Sequence, residues 1–216
     1  IAPAKSWFGD TIQRPSNEGS GNEQGVAAAY RALQRSQQTG NSISLRNAAL
    51  FRADAALAVL VVTDADETNP KGTQAQNKPE TLIGYVKSIW SSKPFSFHSI
   101  IVPIGDSQCK SINGNESYGY NYDSISQLTG GIRGTVCASD YSTQLMNIGQ
   151  STQDLITSVS LNCTPVDQNN DGQPDIQIVT ADGSPAPTFV LEGMRLKLSA
   201  PLPVGNNQVR YMCPAM

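Results

Sequence analysis

The chain has 216 residues, of which 38% are hydrophobic and 15% charged, and its net charge at pH 7 is −3. This length allows one large domain or one domain with a small addition, and the composition is typical of a globular protein. The weak negative charge provides no basic field, so we expect no nucleic-acid partner. No apolar run approaches the ~20 residues that a membrane-spanning helix needs, so we expect no membrane span.

The first elements in chain order are a helix and an apolar strand. The stretch 1–20 is rich in Pro, Ser, Asn and Gly, which predicts a loop. A helix follows, because Val26, Ala29, Tyr30 and Leu33 have helical spacing. After a short helical turn near 45–51, the run 56–63 is apolar at nearly every position. Such a run predicts a central strand of a parallel sheet, with a neighbour on each side and helices above and below.

Strands and helices then alternate. Two further strands are predicted at Phe97–Ile104 and Ile132–Ala138. Between them, residues near Cys109 are predicted to form a loop. Three further helices are predicted. The first begins near Pro79, and the second covers Tyr122–Leu128. The third is long, and its inward-facing residues are Leu145, Ile148, Leu155 and Val159. Because alternating elements form right-handed βαβ units, the sequence predicts an α/β domain over residues 1–160 with a mostly parallel sheet.

The sequence pattern changes after residue 160, where helical periodicity ends and short strand-like segments begin. Short segments with Gly, Pro and Asn turns predict a small β-rich appendage over residues 161–216. Its strands are expected at Asp175–Thr180, Thr188–Leu191, Met194–Ser199 and Gln208–Cys213.

Acidic residues follow the predicted strands: Asp64, Asp66, Glu67, Asp106 and Asp140. Because parallel strands end at one edge of a sheet, these side chains are expected to line one crevice. Carboxylate oxygens suit Mg²⁺ or Ca²⁺, which makes a divalent-cation site the first hypothesis. Glu67 is interpreted as a solvated loop charge, while Asp106 and Asp140 are candidate helix caps.

Three segments resemble the von Willebrand factor type A (vWA) family, in particular its bacterial exported branch. They are residues 19–25, which open a helix, the strand end Thr63–Glu67, and the segment 122–131 with its Gly-Gly pair. The resemblance implies a three-layer, Rossmann-like sheet and a metal-ion-dependent adhesion site. It places Asp64 among the metal ligands. The loop with Ser20 and Asn22 stands where the family has a Thr, and Asp66 is a further candidate ligand.

The Asp-Ser-Ser motif of the family, and the strand before it, have no counterpart in this chain. A strand that is apolar on both faces needs two neighbours, and an uncovered edge favours aggregation. We therefore expect an N-terminal fragment, a separate chain or another copy to complete the sheet.

The four cysteines form no CxxC pair and have no histidine nearby, which disfavours a zinc site. Their even number and wide spacing favour two disulfides and an oxidising compartment, so a secreted, periplasmic or cell-surface location is expected. Four cysteines allow three pairings. We prefer Cys109–Cys137, which ties a loop to the third strand, and Cys163–Cys213, which closes the appendage.

Residues 167–175 resemble the first half of a calcium-binding loop. Asp167, Asn169 and Asp171 alternate ahead of Gly172, and Asp175 offers a further carboxylate. Position twelve is Ile178, so the segment is no EF-hand. The alternative is a polar β-turn without a cation.

These observations favour a surface or secreted adhesion module that binds a protein or glycan, with Mg²⁺ or Ca²⁺ as the possible cofactor. The alternative is a structural exported protein with a degenerate metal site, stabilised by disulfides and the calcium loop. A metal-dependent hydrolase is the third candidate. The single histidine, His98, and the absence of a phosphate-binding loop count against it, so no enzymatic activity is expected.

Overall fold

The computed structural model describes residues 22–38, 51, 55–68, 75–91, 93–114, 117–203 and 205–214. Its helices are α1 (Gly25–Ser36), α2 (Pro79–Ile89), α3 (Ser107–Ile112), α4 (Tyr120–Leu128) and α5 (Ser142–Thr157). Its strands are β1 (Leu57–Val62), β2 (Phe95–Ile101), β3 (Arg133–Thr135), β4 (Ser158–Ser160), β5 (Ile176–Val179), β6 (Phe189–Glu192), β7 (Arg195–Leu198) and β8 (Gln208–Tyr211).

The first three strands form a parallel sheet in the order β1-β2-β3. Leu57 pairs with Phe95 and Val62 with Ile100, while Ser99 pairs with Arg133. The chain is therefore a mixed α/β structure with a parallel sheet, as the alternation of elements predicts. β2 and β3 end earlier than the sequence predicts, because Ile104 and Ala138 lie beyond the last paired residues, Ile101 and Thr135.

Helices lie on both faces of this sheet. On the first face, Leu57, Phe97 and Ile101 join a core that α1, α2 and α4 complete with a set of buried side chains: Val26, Leu33, Leu82, Val86, Tyr122 and Ile125. On the second face, α5 packs against β2. Because side chains alternate along a strand, the even-numbered residues of β1 and β2 belong to this second face.

The strands from β4 onward form a C-terminal β region, residues 158–211, with a separate core. One sheet has the order β4-β7-β6 and the other pairs β5 with β8, and all these pairs are antiparallel. Leu161, Leu196 and Leu198 are buried between them. Val159, which the sequence assigns to the long helix, instead lies in β4, because α5 ends at Thr157. The predicted division of the chain into an α/β domain over residues 1–160 and an appendage over residues 161–216 stays a prediction.

Two disulfides join Cys109 to Cys137 and Cys163 to Cys213, the pairs that the sequence analysis preferred. The prediction of a loop around Cys109 is wrong. Residues Ser107–Ile112 form α3, which begins where Asp106 accepts a hydrogen bond from the Cys109 amide at 2.9 Å. The short, polar helix lacks an apolar stripe that sequence patterning could reveal, and its disulfide supplies the anchor.

No helix among the described residues is both long and apolar enough to cross a membrane.

Candidate functional site at the carboxyl ends of the strands

The acidic loop after β1 is the centre of the predicted site. It begins at Thr63, whose amide still donates to the Ile100 carbonyl of β2 at 3.0 Å. Three residues on, the chain turns toward the starts of α1 and α4. The Thr68 amide donates to the Glu23 carbonyl at 2.7 Å and holds the end of the loop beside α1.

Glu67 is buried, with 7% of its surface exposed, so its interpretation as a solvated charge is wrong. Its two carboxylate oxygens accept hydrogen bonds from the amides of Val26 at 2.9 Å and Ala27 at 3.0 Å. These amides belong to the first turn of α1 and have no partner within the helix. The carboxylate therefore caps α1 and also meets the positive end of the helix dipole.

Tyr122 of α4 completes this arrangement. Its buried hydroxyl accepts from the Gly25 amide at 3.0 Å and hydrogen-bonds Glu67. A Cβ at position 25 would lie 2.9 Å from the Tyr122 ring and 3.0 Å from Val61, so only glycine lets α1 approach this closely. Burial raises the pKa of Tyr122, and its hydrogen bond with Glu67 acts in the same direction.

Asp66 caps a second helix, α4. Its oxygens accept from the Asn121 amide at 2.9 Å and from the Asn121 side chain at 3.0 Å, in the first turn of α4. Burial raises the pKa of Asp66, and the hydrogen bonds from Asn121 oppose that shift. Burial likewise raises the pKa of Glu67, against the hydrogen bonds from Val26 and Ala27. Two adjacent carboxylates thus fix two helix starts to the end of β1.

The remaining acids follow the same rule. Asp106 caps α3, and Asp140 accepts from the Ser142 amide at 2.9 Å where α5 begins. The hydrogen bonds from Ser142 lower the pKa of Asp140. In a parallel sheet the helices that follow strands begin at this edge, so their unpaired amides gather there. Four of the five acidic residues that follow the predicted strands therefore accept hydrogen bonds from such amides, among them Asp66, a predicted metal ligand.

Asp64 is exposed, and within the described residues its carboxylate has no hydrogen-bond partner. Asn22 lies just ahead of α1 and has polar contacts, while Ser20 lies outside the described residues. In the part of the chain that the structure describes, no three His, Cys, Asp or Glu side chains are grouped closely enough to hold a metal ion. Of the five acidic residues at the strand ends, Asp64 is thus the one whose carboxylate accepts no hydrogen bond within the described residues.

The predicted calcium loop is organised by hydrogen bonds among its own residues. Asp167 accepts from the amides of Asp171 at 3.2 Å and Gly172 at 2.8 Å. The Asn169 amide group donates to Asp171 at 3.1 Å and to Asp175 at 3.2 Å. The four predicted ligands are therefore neighbours in space. Their oxygens are turned toward amides, which is the geometry of an Asx-rich turn.

A second candidate site is the edge of β1 that faces away from β2. The Leu57 amide donates to the Pro94 carbonyl at 2.9 Å, so the odd-numbered residues direct their backbone groups at β2. The backbone groups of Ala58, Leu60 and Val62 point the other way. Within the described ranges no strand pairs with that side of β1. The prediction of two neighbours and two covered faces is therefore not met by these residues.

The same three side chains lie on the second face and are exposed. Leu60 is 42% and Val62 58% exposed, whereas their neighbours His98 and Ile100 on β2 are buried by the layer that contains α5. The uncovered area is thus confined to β1. It carries no charge, proline or glycine to discourage pairing.

The opposite edge of the sheet is closed by a side chain. Gln144 of α5 accepts from the Thr135 amide at 2.6 Å and donates to the Thr135 carbonyl at 3.1 Å. Its amide group therefore occupies the place of a fourth strand beside β3. The fit needs Gly134, because a Cβ there would lie 2.0 Å from the Gln144 oxygen. Sequence reasoning gave Gln144 and Tyr122 no role in the site, since each acts through contacts with residues of other elements.

No family model, curated protein or solved structure matches the chain. The resemblance to vWA domains therefore depends on the three sequence segments alone.

Proposed function

We propose that the chain is a secreted or surface-exposed binding module whose protein partner adds a strand to the open edge of β1. The observation that carries this proposal concerns Ala58, Leu60 and Val62, whose backbone groups pair with no strand among the described residues and whose apolar side chains are exposed. The two disulfides support the location, because such bonds persist in oxidising compartments.

Strand addition suits this edge for two reasons. The backbone groups supply main-chain hydrogen bonds, and the side chains supply apolar burial. Full burial of a Leu or Val side chain contributes about 1.5–3 kcal/mol each, so covering Leu60 and Val62 gives a partner a substantial share of its affinity. The strand that binds is expected to be apolar, because β1 offers no charge for it to pair with.

The closed edge supports the choice of β1. Proteins commonly protect exposed strand edges, and Gln144 protects β3 in this way. β1 has no comparable device among the described residues. This contrast between the two edges supports β1 as the edge that a partner strand covers. The resemblance to vWA domains agrees, since it implies a further strand beside β1 and the three-layer sheet that such a strand would complete.

The test compares the protein isolated from its native source with the 216-residue chain alone. In the native material we expect a second polypeptide, or a longer one, by intact mass spectrometry. We also expect the amides of Ala58, Leu60 and Val62 to exchange about two orders of magnitude more slowly than in the isolated chain. The amides of Val59 and Val61 face β2, so they should be protected in both samples and serve as the internal control.

Substitutions identify the edge. Val62→Lys should abolish the association, because a lysine would be buried without a partner. Val190→Lys is the matched control, since Val190 is a 63% exposed valine on β6, the edge strand of another sheet. Equal exchange in both samples, or association that survives Val62→Lys, would overturn the proposal.

The proposal also includes a divalent cation bound at Asp64, at the interface with the partner strand. Asp64 is exposed two residues beyond Val62, where a strand added to β1 ends. Such a partner could supply the ligands that the described residues lack. The second candidate function, a structural exported protein with a stabilising calcium loop, is favoured by the proximity of Asn169, Asp171 and Asp175.

Calorimetric titration with Mg²⁺ and Ca²⁺ distinguishes the two sites. An adhesion-type site predicts that binding is lost in Asp64→Ala and kept in Asp171→Ala. A structural calcium loop predicts the reverse, together with a Tm that rises with Ca²⁺ in the wild type and in Asp64→Ala. Absence of heat for either cation, with the partner present, would reject both sites and leave strand addition as the sole basis of binding.

A further inference from the structure

We propose that His98 is an acid-sensitive latch, whose neutral imidazole holds the start of β3 and the helix α5 against β2, and whose protonation loosens them. His98 lies on the second face of β2 and is fully buried. Three separate segments converge on its two ring nitrogens. The proposal follows from what each of them donates or accepts.

The tautomer is fixed by a backbone group. The Ile132 amide donates to Nδ1 of His98 at 2.9 Å, so Nδ1 carries no proton. A neutral ring then has its proton on Nε2. The Ile132 carbonyl, in turn, accepts from the Ser99 amide at 3.0 Å. His98 and Ser99 therefore hold both backbone groups of the residue that precedes β3.

The other nitrogen faces two hydroxyl groups. Nε2 lies 2.8 Å from Oγ of Ser96 and 3.4 Å from Oγ1 of Thr152 on α5. The Thr152 hydroxyl donates to the Ile148 carbonyl at 2.8 Å, so it can only accept from the ring. This contact joins α5 to the sheet near Ile148, the buried side chain of that helix.

A second proton has no place in this arrangement. A proton on Nδ1 would confront the Ile132 N–H, break that hydrogen bond and leave a buried positive charge. Among the described residues, no neighbouring element offers a carboxylate to it. β1 carries no charge, Asp123 of α4 pairs with Arg133 of β3 at 3.3 Å, and Asp154 of α5 accepts from Gln150.

The direction of the pH effect follows from linkage. Burial lowers the pKa of His98 below 6.5, so the folded state binds this proton less readily than the unfolded or opened state. The contribution of His98 to stability is thus present in full above pH 6.5 and is lost as the pH falls through the folded pKa. One proton changes the opening equilibrium by at most about tenfold per pH unit.

The test uses NMR of the wild-type protein, in which His98 is the single histidine and its ring signals need no assignment by mutation. We expect the Nε2-protonated tautomer at neutral pH and titration below 6.5. The exchange protection factor of the Ile132 amide should fall by up to about tenfold per pH unit in that range. A ring that titrates at or above 6.5, or a protection factor that is independent of pH, would overturn the latch.

Two variants separate the latch from packing alone. His98→Asn keeps an acceptor near the Ile132 amide but cannot titrate in this range, so its protection factor should not change with pH. Thr152→Val keeps the ring and its titration but weakens the contact of α5. Protonation of Asp66 and Glu67 has the opposite effect on stability, because burial raises their pKa values. Their contribution is the same in wild type and His98→Asn, so the comparison of the two cancels it.

Discussion

Removal of the Cys163–Cys213 disulfide is expected to unfold the C-terminal β region while the parallel sheet stays folded. The bond closes a loop of 50 residues, and for this length the loss of the cross-link costs about 4 kcal/mol. The core it supports is small, and its buried residues are three leucines, Leu161, Leu196 and Leu198, among those that the structure describes. Two sheets of three and two strands cannot offset such a loss.

The variant Cys163→Ser/Cys213→Ser tests this expectation by amide hydrogen exchange. Amides of β5 and β7 should lose protection, while those of β2 keep it. The matched control is Cys109→Ser/Cys137→Ser, which opens a 28-residue separation and costs a similar ~3.5 kcal/mol. That change should lower the stability of the parallel sheet and leave the C-terminal β region protected. Concerted loss of both regions in either variant would show that they unfold as one unit.

Glu67→Ala is expected to lower the free energy of unfolding by about 3 kcal/mol. The substitution leaves the buried amides of Val26 and Ala27 without acceptors and removes a partner of the Tyr122 hydroxyl. Glu67→Gln keeps one acceptor oxygen but turns an NH₂ group toward the other amide, so an intermediate loss of about 1–2 kcal/mol is expected. Urea denaturation at pH 7 measures both.

The matched control is Asp64→Ala, in the same loop but exposed, which should change stability by less than about 0.5 kcal/mol. The pH dependence provides a second check. Since burial raises the pKa of Glu67 above 4.5, the contribution of its titration to stability is present below pH 4.5 and is lost as the pH rises through the folded pKa. Glu67→Gln should lack this change. Equal stability of Glu67→Ala and Asp64→Ala would show that Glu67 does not cap α1.

The acidic loop shows how far sequence reasoning reaches. The apolar run before Asp64 predicts a parallel strand, and the rule that such strands end at one edge places Asp66, Asp106 and Asp140 at the carboxyl ends. What the carboxylates do there depends on where α1, α3, α4 and α5 begin, which is set by packing. Glu67 lies 40 and 41 residues from Ala27 and Val26, whose amides donate to it, so no local pattern connects them.

The sequence by itself determined the parallel α/β character, the order of the elements other than α3 and β4, and the strands β5 to β8, because these depend on hydrophobic periodicity and turn residues that act over a few positions. It also limited the cysteines to three pairings. Only the tertiary structure decided that Gln144 closes the edge of β3, that the exposed face is confined to β1, and that His98 joins β2 to Ile132 and α5. Each of these is a contact between distant segments, and its geometry exists only once the helices have packed on the sheet.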